Sequence, residues 1–203
     1  MSDILALDIE TSNYSWEIGG WGNLSLFEPT VVATWDGENG NIFSKEDTVS
    51  VENMKVHDLH PQILGDFLEE HIEKGGKILG HNIVSFDLPV IRDALDCWAA
   101  GDVLGKSEQI LDTKILFRKA SFPYGKLLSS LSELAKHNLG QEKLMESTDA
   151  PIAWREGRYD EVAEYCLKDA QLTYDLYMMG RENCMLKSRC RETGDIKEVE
   201  LEW

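Results

Sequence analysis

Asp8 and Glu10 stand two residues apart in Ile4-Leu5-Ala6-Leu7-Asp8-Ile9-Glu10-Thr11, at the end of an aliphatic run. Side chains two apart on a strand share a face. A strand here puts Ile4, Ala6, Asp8 and Glu10 on one side and Leu5, Leu7 and Ile9 on the other. Two carboxylates side by side at the end of a buried strand repel each other and lose hydration. A divalent cation offsets both costs. The ordinary alternative is a strand whose acidic end has reached solvent. Tyr165 and Asp169 form a second pair, in Tyr165-Cys166-Leu167-Lys168-Asp169. The stretch Arg158 to Met179 holds no Pro or Gly, and Val162, Cys166, Ala170, Thr173 and Tyr177 recur at helical steps. Asp169 falls beside that core-facing stripe, with Tyr165 one turn earlier on the same face. An isolated Asp there is expensive to bury, which points to ligation or catalysis. Pairing with an Arg or capping a loop is the alternative. A third motif is Asn82-Ile83-Val84-Ser85-Phe86-Asp87. It follows an expected strand and opens an expected helix with Pro89 in its first turn. Alone, Asp87 reads as a helix cap and Asn82 as a turn residue.

The elements that must position these residues are legible in outline. Ile4 to Glu10 is the first strand. Thr30 to Trp35, the turn Asp36-Gly37-Glu38-Asn39-Gly40 and Asn41 to Ser44 form a hairpin. Pro61 to Glu73 is a helix with an apolar stripe of Ile63, Phe67, Leu68 and Ile72, ended by Gly75-Gly76. Lys77 to His81 is a fourth strand and Gln109 to Ile115 holds a fifth. Phe86 to Ala99, Leu127 to Asn138 and Arg158 to Met179 are further helices. Hairpin strands followed by alternating helix and strand give an α/β fold: a mixed five-stranded sheet with helices on both faces. Lys187 to Arg191 and Ile196 to Leu201 alternate around a turn and read as a C-terminal β-hairpin. It packs Trp203 back on the domain or docks a partner. The organisation is thus a domain over 1–183 with an extension over 184–203.

Taken in order, Asp-x-Glu on the first strand, Asn-x-x-x-Phe-Asp in the middle and Tyr-x-x-x-Asp on a late helix resemble the DEDD-type 3′–5′ exonucleases. The Tyr four residues before the last Asp resembles the tyrosine subclass, DEDDy, which includes polymerase proofreading domains. RNase D-like ribonucleases are relatives of that group. The histidine subclass would carry His where this chain has Glu164. The resemblance spans about residues 3 to 180 and implies a ribonuclease H-like fold. It implies catalytic and metal-binding roles for Asp8, Glu10, Asp87 and Asp169, with two divalent cations, Mg²⁺ or Mn²⁺. Asp8 would bridge the ions, Glu10 and Asp169 would complete one site, and Asp87 would support the other. Tyr165 would orient the attacking water. Thr11, Asn82 and Phe86 would shape the place of the terminal nucleotide. Oxygen-only ligands agree with Mg²⁺ or Mn²⁺ and not with zinc. Two such ions activate water and stabilise the leaving oxygen of an in-line displacement. The implied activity is hydrolysis from the 3′ end of single-stranded DNA, releasing nucleoside 5′-monophosphates, in proofreading or repair. RNA is the alternative substrate; a silent nucleic-acid-binding module and a small-nucleotide phosphohydrolase are the rivals. A polymerase, helicase or other repair partner would act in trans.

Composition bounds these readings. A chain of 203 residues, 42% hydrophobic and 28% charged, fits one well-cored domain. No apolar run approaches the ~18 residues of a membrane span. With no basic, apolar leader, a cytoplasmic protein without membrane partners is expected. Cys97, Cys166, Cys184 and Cys190 lack zinc-type pairing, and Cys97 and Cys166 read as core. The net charge of −17 runs against polyanion binding. An enzyme gripping only a few terminal nucleotides needs less phosphate neutralisation, and its metals supply local positive charge. The most basic stretch, Lys114 to Lys126, carries Lys114, Arg118, Lys119 and Lys126 among Phe117, Phe122 and Tyr124. Lys119 and Lys126 are its candidates for guiding a strand backbone; a solvated face is the alternative. Asn13 to Phe27 gathers Tyr14, Trp16, Trp21 and Phe27 near the first motif, to stack on bases or to cover the sheet edge.

Overall fold

The computed structural model describes residues 3–141, 145 and 148–203. Its core is a mixed sheet of six strands, one more than the sequence pattern suggested. They are β1 (Ile4–Thr11), β2 (Pro29–Trp35), β3 (Gly40–Ser44), β4 (Lys55–Asp58), β5 (Lys77–Gly80) and β6 (Ile110–Asp112), in the order β4-β3-β2-β1-β5-β6. The extra strand is β4, which pairs parallel to β3 at the sheet edge. Its sequence, Lys-Val-His-Asp, is mostly exposed and has no apolar alternation, so no hydrophobic pattern betrays it. β1 to β3 run antiparallel, whereas β5 and β6 run parallel to β1.

The two-residue period of β1 divides the core. Leu5, Leu7 and Ile9 pack with Val32 and Phe43 under α1 (Pro61–Glu73), α2 (Asp87–Ala94) and α3 (Trp98–Gly105). On the opposite face, Ile4 and Ala6 meet Ala170 and Tyr177. Val31, Ala33 and Ile42 meet Ala153, Val162 and Cys166. Those partners belong to α6 (Ala150–Arg155) and α7 (Tyr159–Asn183). Burying such aliphatic side chains is worth about 1.5–3 kcal/mol each.

Helix boundaries differ from the pattern in informative ways. The helix expected over Phe86 to Ala99 is two, because Asp96 adopts φ 55° and breaks it. The helix expected from Leu127 begins at Leu131 as α5 (Leu131–Asn138). Ser130 caps it by accepting the Glu133 N–H at 3.3 Å. On α1 the buried stripe is Leu64, Gly65, Leu68 and Ile72, one step round from the expected face, and Ile63 is exposed. α4 (Thr113–Ser121) follows β6 directly and carries Lys114, Arg118 and Lys119 of the basic stretch, while Lys126 lies beyond it.

The C-terminal hairpin, β7 (Met185–Arg189) and β8 (Ile196–Glu200), is antiparallel and shares a core with the rest of the chain. Leu186, Val199 and Leu201 are buried with Phe117, Leu134, Leu172 and Leu176. Trp203 lies so close to α7 that a Cβ at Gly180 would meet its indole at 2.5 Å. Among the described residues, no helix is long and apolar enough to cross a membrane.

Candidate metal centre

The site forms where the carboxyl ends of parallel strands meet two helices, the usual place for ligands in such sheets. β1 delivers Asp8 and Glu10 toward α7. The register of β1 against β2 shifts between Glu10 and Thr11, an irregularity that re-aims the chain as the strand ends. From α7, Asp169 and Tyr165 face them; both are buried. Asp8, Glu10 and Asp169 each offer one carboxylate oxygen, and these oxygens lie within 4.8 Å of one another. Such an oxygen-only trio, with Asp169 buried and Asp8 and Glu10 half-buried, suits a divalent cation of the Mg²⁺ or Mn²⁺ type. The Cys166 thiol ties helix to strand, donating to the Asp8 carbonyl at 3.3 Å and lying 3.7 Å from its Oδ2.

β5 brings the second motif. A Cβ at Gly80 would meet the Ile83 Cβ at 2.4 Å, so only glycine lets the chain fold back here. Asn82 then adopts φ 80°, and its carbonyl accepts the N–H groups of Ser85 and Phe86. Asp112 holds this loop: its carboxylate accepts the N–H groups of Asn82 (3.1 Å) and Val84 (3.2 Å) as well as those of Lys114 and Ile115 at the start of α4. Asp87 emerges buried at the first turn of α2, where its carboxylate accepts its own N–H and that of Ile9 on β1. The N-terminus of α2 and the acidic end of β1 are thereby joined.

Electrostatics set the protonation states. Burial pushes the Asp87 carboxyl up to about 7; its two backbone hydrogen bonds oppose this, and the Asp112 and Asp169 charges add to it. Burial also pushes the Tyr165 hydroxyl far above its usual range, reinforced by Glu10, Asp169 and Asp8 and by the hydrogen bond it shares with Asp169. Tyr165 is therefore a proton donor at neutral pH and not a base. Burial, then the Asp8, Glu10 and Asp169 charges, hold the Cys166 thiol neutral, which removes it as a nucleophile.

An open cavity of about 400 Å³ brings together Asp8, Glu10, Thr11, Asn82, Phe86, Asp87, Tyr165 and Asp169. Lys119 and Lys126 lie elsewhere. Lys119 lines a separate cavity of about 700 Å³ beside Tyr124 and Trp203, and Lys126 pairs with Glu192 at 2.9 Å. From the same basic stretch, Lys114 does line the carboxylate cavity, as do His81 and Ser130. The aromatic loop divides. Phe27 is core, Trp21 packs edge-on against Phe86 at 5.6 Å, and Trp16 projects at the cavity, 68% exposed. Asp112 is the positioning residue that the motif reading passed over. An Asp directly before the α4 stripe is a recognisable cap signal.

No protein-family model matches this chain, and no curated protein matches it either.

Proposed function

We propose that the chain is a metal-dependent 3′–5′ exonuclease of the tyrosine-type DEDD group, built on a ribonuclease H-like fold. It releases nucleoside 5′-monophosphates from single-stranded ends, DNA in preference to RNA. The observation carrying this reading is the meeting of Asp8, Glu10 and Asp169 within 4.8 Å in an open cavity, with Tyr165 bonded to Asp169. A silent binding module has no use for this cluster, which gathers like charge beside Asp87, itself raised first by its own burial and further by Asp112 and Asp169. Two divalent ions, when bound, supply a polarised water and relief of charge at the leaving oxygen.

In this reading Asp8, Glu10 and Asp169 would hold one ion and Asp87 would support the other. Tyr165 keeps its proton and donates, so it orients the attacking water rather than deprotonating it. Thr11, Asn82 and Phe86 wall the terminal nucleotide. Lys114, which lines the cavity, is better sited than Lys119 or Lys126 to meet the strand backbone. Residues 184–203 serve as a buttress to the catalytic unit over 1–183.

The test uses 5′-labelled single-stranded DNA and RNA of one sequence, with Mg²⁺, with Mn²⁺ and with chelator, comparing the parent protein with Asp8→Ala. A metal-dependent ladder shortening from the 3′ end, lost in the variant, is the expected result. A fully active Asp8→Ala protein would sink the two-metal reading. Cleavage of neither strand with any metal would turn the assignment toward a binding module or a small-nucleotide substrate.

A further inference from the structure

Trp16 is exposed but held in place. Its ring stacks on Tyr14, with centroids 4.1 Å apart and planes 11° from parallel. Tyr14 is itself fixed from several sides. Its hydroxyl donates to the Thr148 carbonyl at 2.6 Å, and its N–H donates to Glu17 Oε2 at 2.8 Å. The Arg155 guanidinium lies over the Tyr14 ring, 5.5 Å from its centroid, and donates twice to the Glu17 carboxylate, at 3.0 and 2.6 Å. With one face against Tyr14, the surface that leaves Trp16 68% exposed is its other face and its rim. Both rings line the cavity that holds the carboxylates.

An exposed indole seated on an anchored ring, at the mouth of an acidic cavity, wants a flat and uncharged partner. Neither phosphate nor sugar offers a π-face. A nucleobase offers both flatness and neutrality, and aromatic stacking tolerates any base. Trp21 also lines the cavity and is equally exposed, but it meets Phe86 edge-on and Phe27 at a tilt, so no parallel ring seats it as Tyr14 seats Trp16. We infer that Trp16 is a preformed stacking platform for one base near the 3′ end of a single strand, extending the Tyr14–Trp16 stack by one ring. The inference rests on the exonuclease reading above and deepens it. It also makes Trp16 a source of the preference for unpaired strands, because bases inside a duplex already have both faces stacked.

The experiment is fluorescence anisotropy with 5′-fluorescein-labelled (dT)₈ in Ca²⁺, the strand being checked for intactness on a gel. The parent, Trp16→Ala and Trp16→Phe are compared. Four further strands each carry one abasic residue, walked over the last four positions. Trp16→Ala should weaken binding of the intact strand by about 5- to 150-fold, the range for losing one stacked base. Trp16→Phe should stay within about threefold of the parent. One abasic strand should bind the parent as poorly as the intact strand binds Trp16→Ala, and should not distinguish the two proteins. Equal thermal melting of the parent and Trp16→Ala, expected for so exposed a side chain, excludes misfolding as the cause. Equal binding of the intact strand by the parent and Trp16→Ala overturns the platform. So does an abasic series in which Trp16→Ala costs the same at every position. A parent that binds no strand, yet is raised in Tm by Mg²⁺, overturns the exonuclease reading itself, and the platform falls with it.

Discussion

Glu133 on α5 and Asp169 on α7 are both buried carboxylates in opposite surroundings. Glu133 accepts hydrogen bonds from Arg189 on β7, at 2.8 Å from Nη2 and 3.2 Å from Nε, and lies 2.8 Å from His137 Nε2. Burial pushes its carboxyl up, but Arg189 and His137 outweigh burial, so it sits below its ordinary range. Asp169 instead keeps company with Asp8 and Glu10 within 4.8 Å, and its charge helps to raise Asp87. Glu133 is met by Arg189 and His137, whereas Asp169 stands beside two further carboxylates and shares a hydrogen bond with Tyr165. Gathered carboxylates destabilise a fold until something cationic joins them. The first arrangement is therefore structural: it pins the hairpin to α5. The second is the candidate metal site.

Replacing Asp169 with Asn breaks this contrast most strongly. Hydrolysis should fall below about a thousandth of the parent rate, since one group of a concerted set is lost. Without metal, the variant should melt no lower than the parent, because a buried charge among like charges is removed. The rise in Tm that Mg²⁺ gives the parent should shrink or vanish. Melting curves in chelator and in Mg²⁺ check this. A clear loss of metal-free stability would mean that Asp169 is balanced within the chain, as Glu133 is.

Tyr165→Phe sharpens the comparison with a smaller effect. The hydroxyl donates to Asp169 and cannot ionise near neutral pH. Its loss should lower kcat by about 10- to 100-fold, within the usual range for a positioned proton-handling group. Mg²⁺ affinity, read from the metal dependence of Tm, should change by less than about threefold. The pH–rate profile should keep its shape. A lost limb in that profile would make Tyr165 a titrating base and contradict the electrostatics of the site.

Asp8, Glu10, Tyr165 and Asp169 were legible because two simple periods place them. The alternation along β1 sends both acids toward one face, and the helical step on α7 carries Tyr165 and Asp169 round to meet it. Asp87 was visible only through its motif, since an Asp at a helix start is ordinarily a cap. Its burial against Ile9 depends on a loop that folds back at Gly80, which no periodicity encodes. Asp112 was missed for a related reason. Its side chain looks local, yet half of its hydrogen bonds cross to a loop about thirty residues earlier. β4 escaped because an exposed edge strand has no apolar face to report. Lys114, Arg118 and Lys119 of the basic stretch lie on amphipathic α4, which turns Lys114 to the carboxylate cavity and Lys119 to a separate one. Composition alone cannot separate those two lysines.

Glu133→Gln tests the balanced end of the comparison. Gln keeps the shape and one acceptor but loses the charge that Arg189 and His137 meet. The Arg189 side chain is half exposed, so solvent screens the pair, and the cost should be about 1–2 kcal/mol rather than that of a fully buried ion pair. Exonuclease activity at 25 °C should remain within about twofold of the parent. The pH dependence has a definite sign. The folded-state value of Glu133 lies below its ordinary 4.5, so the folded protein holds the ionised form longer than the unfolded chain does. Its contribution to stability is complete above about pH 4.5 and is lost as pH falls through the lower folded value. Urea titrations of the parent and Glu133→Gln should therefore differ most at neutral pH and converge in acid. A gap that stays constant with pH would mean that the charge of Glu133 contributes nothing and that its shape alone holds the hairpin.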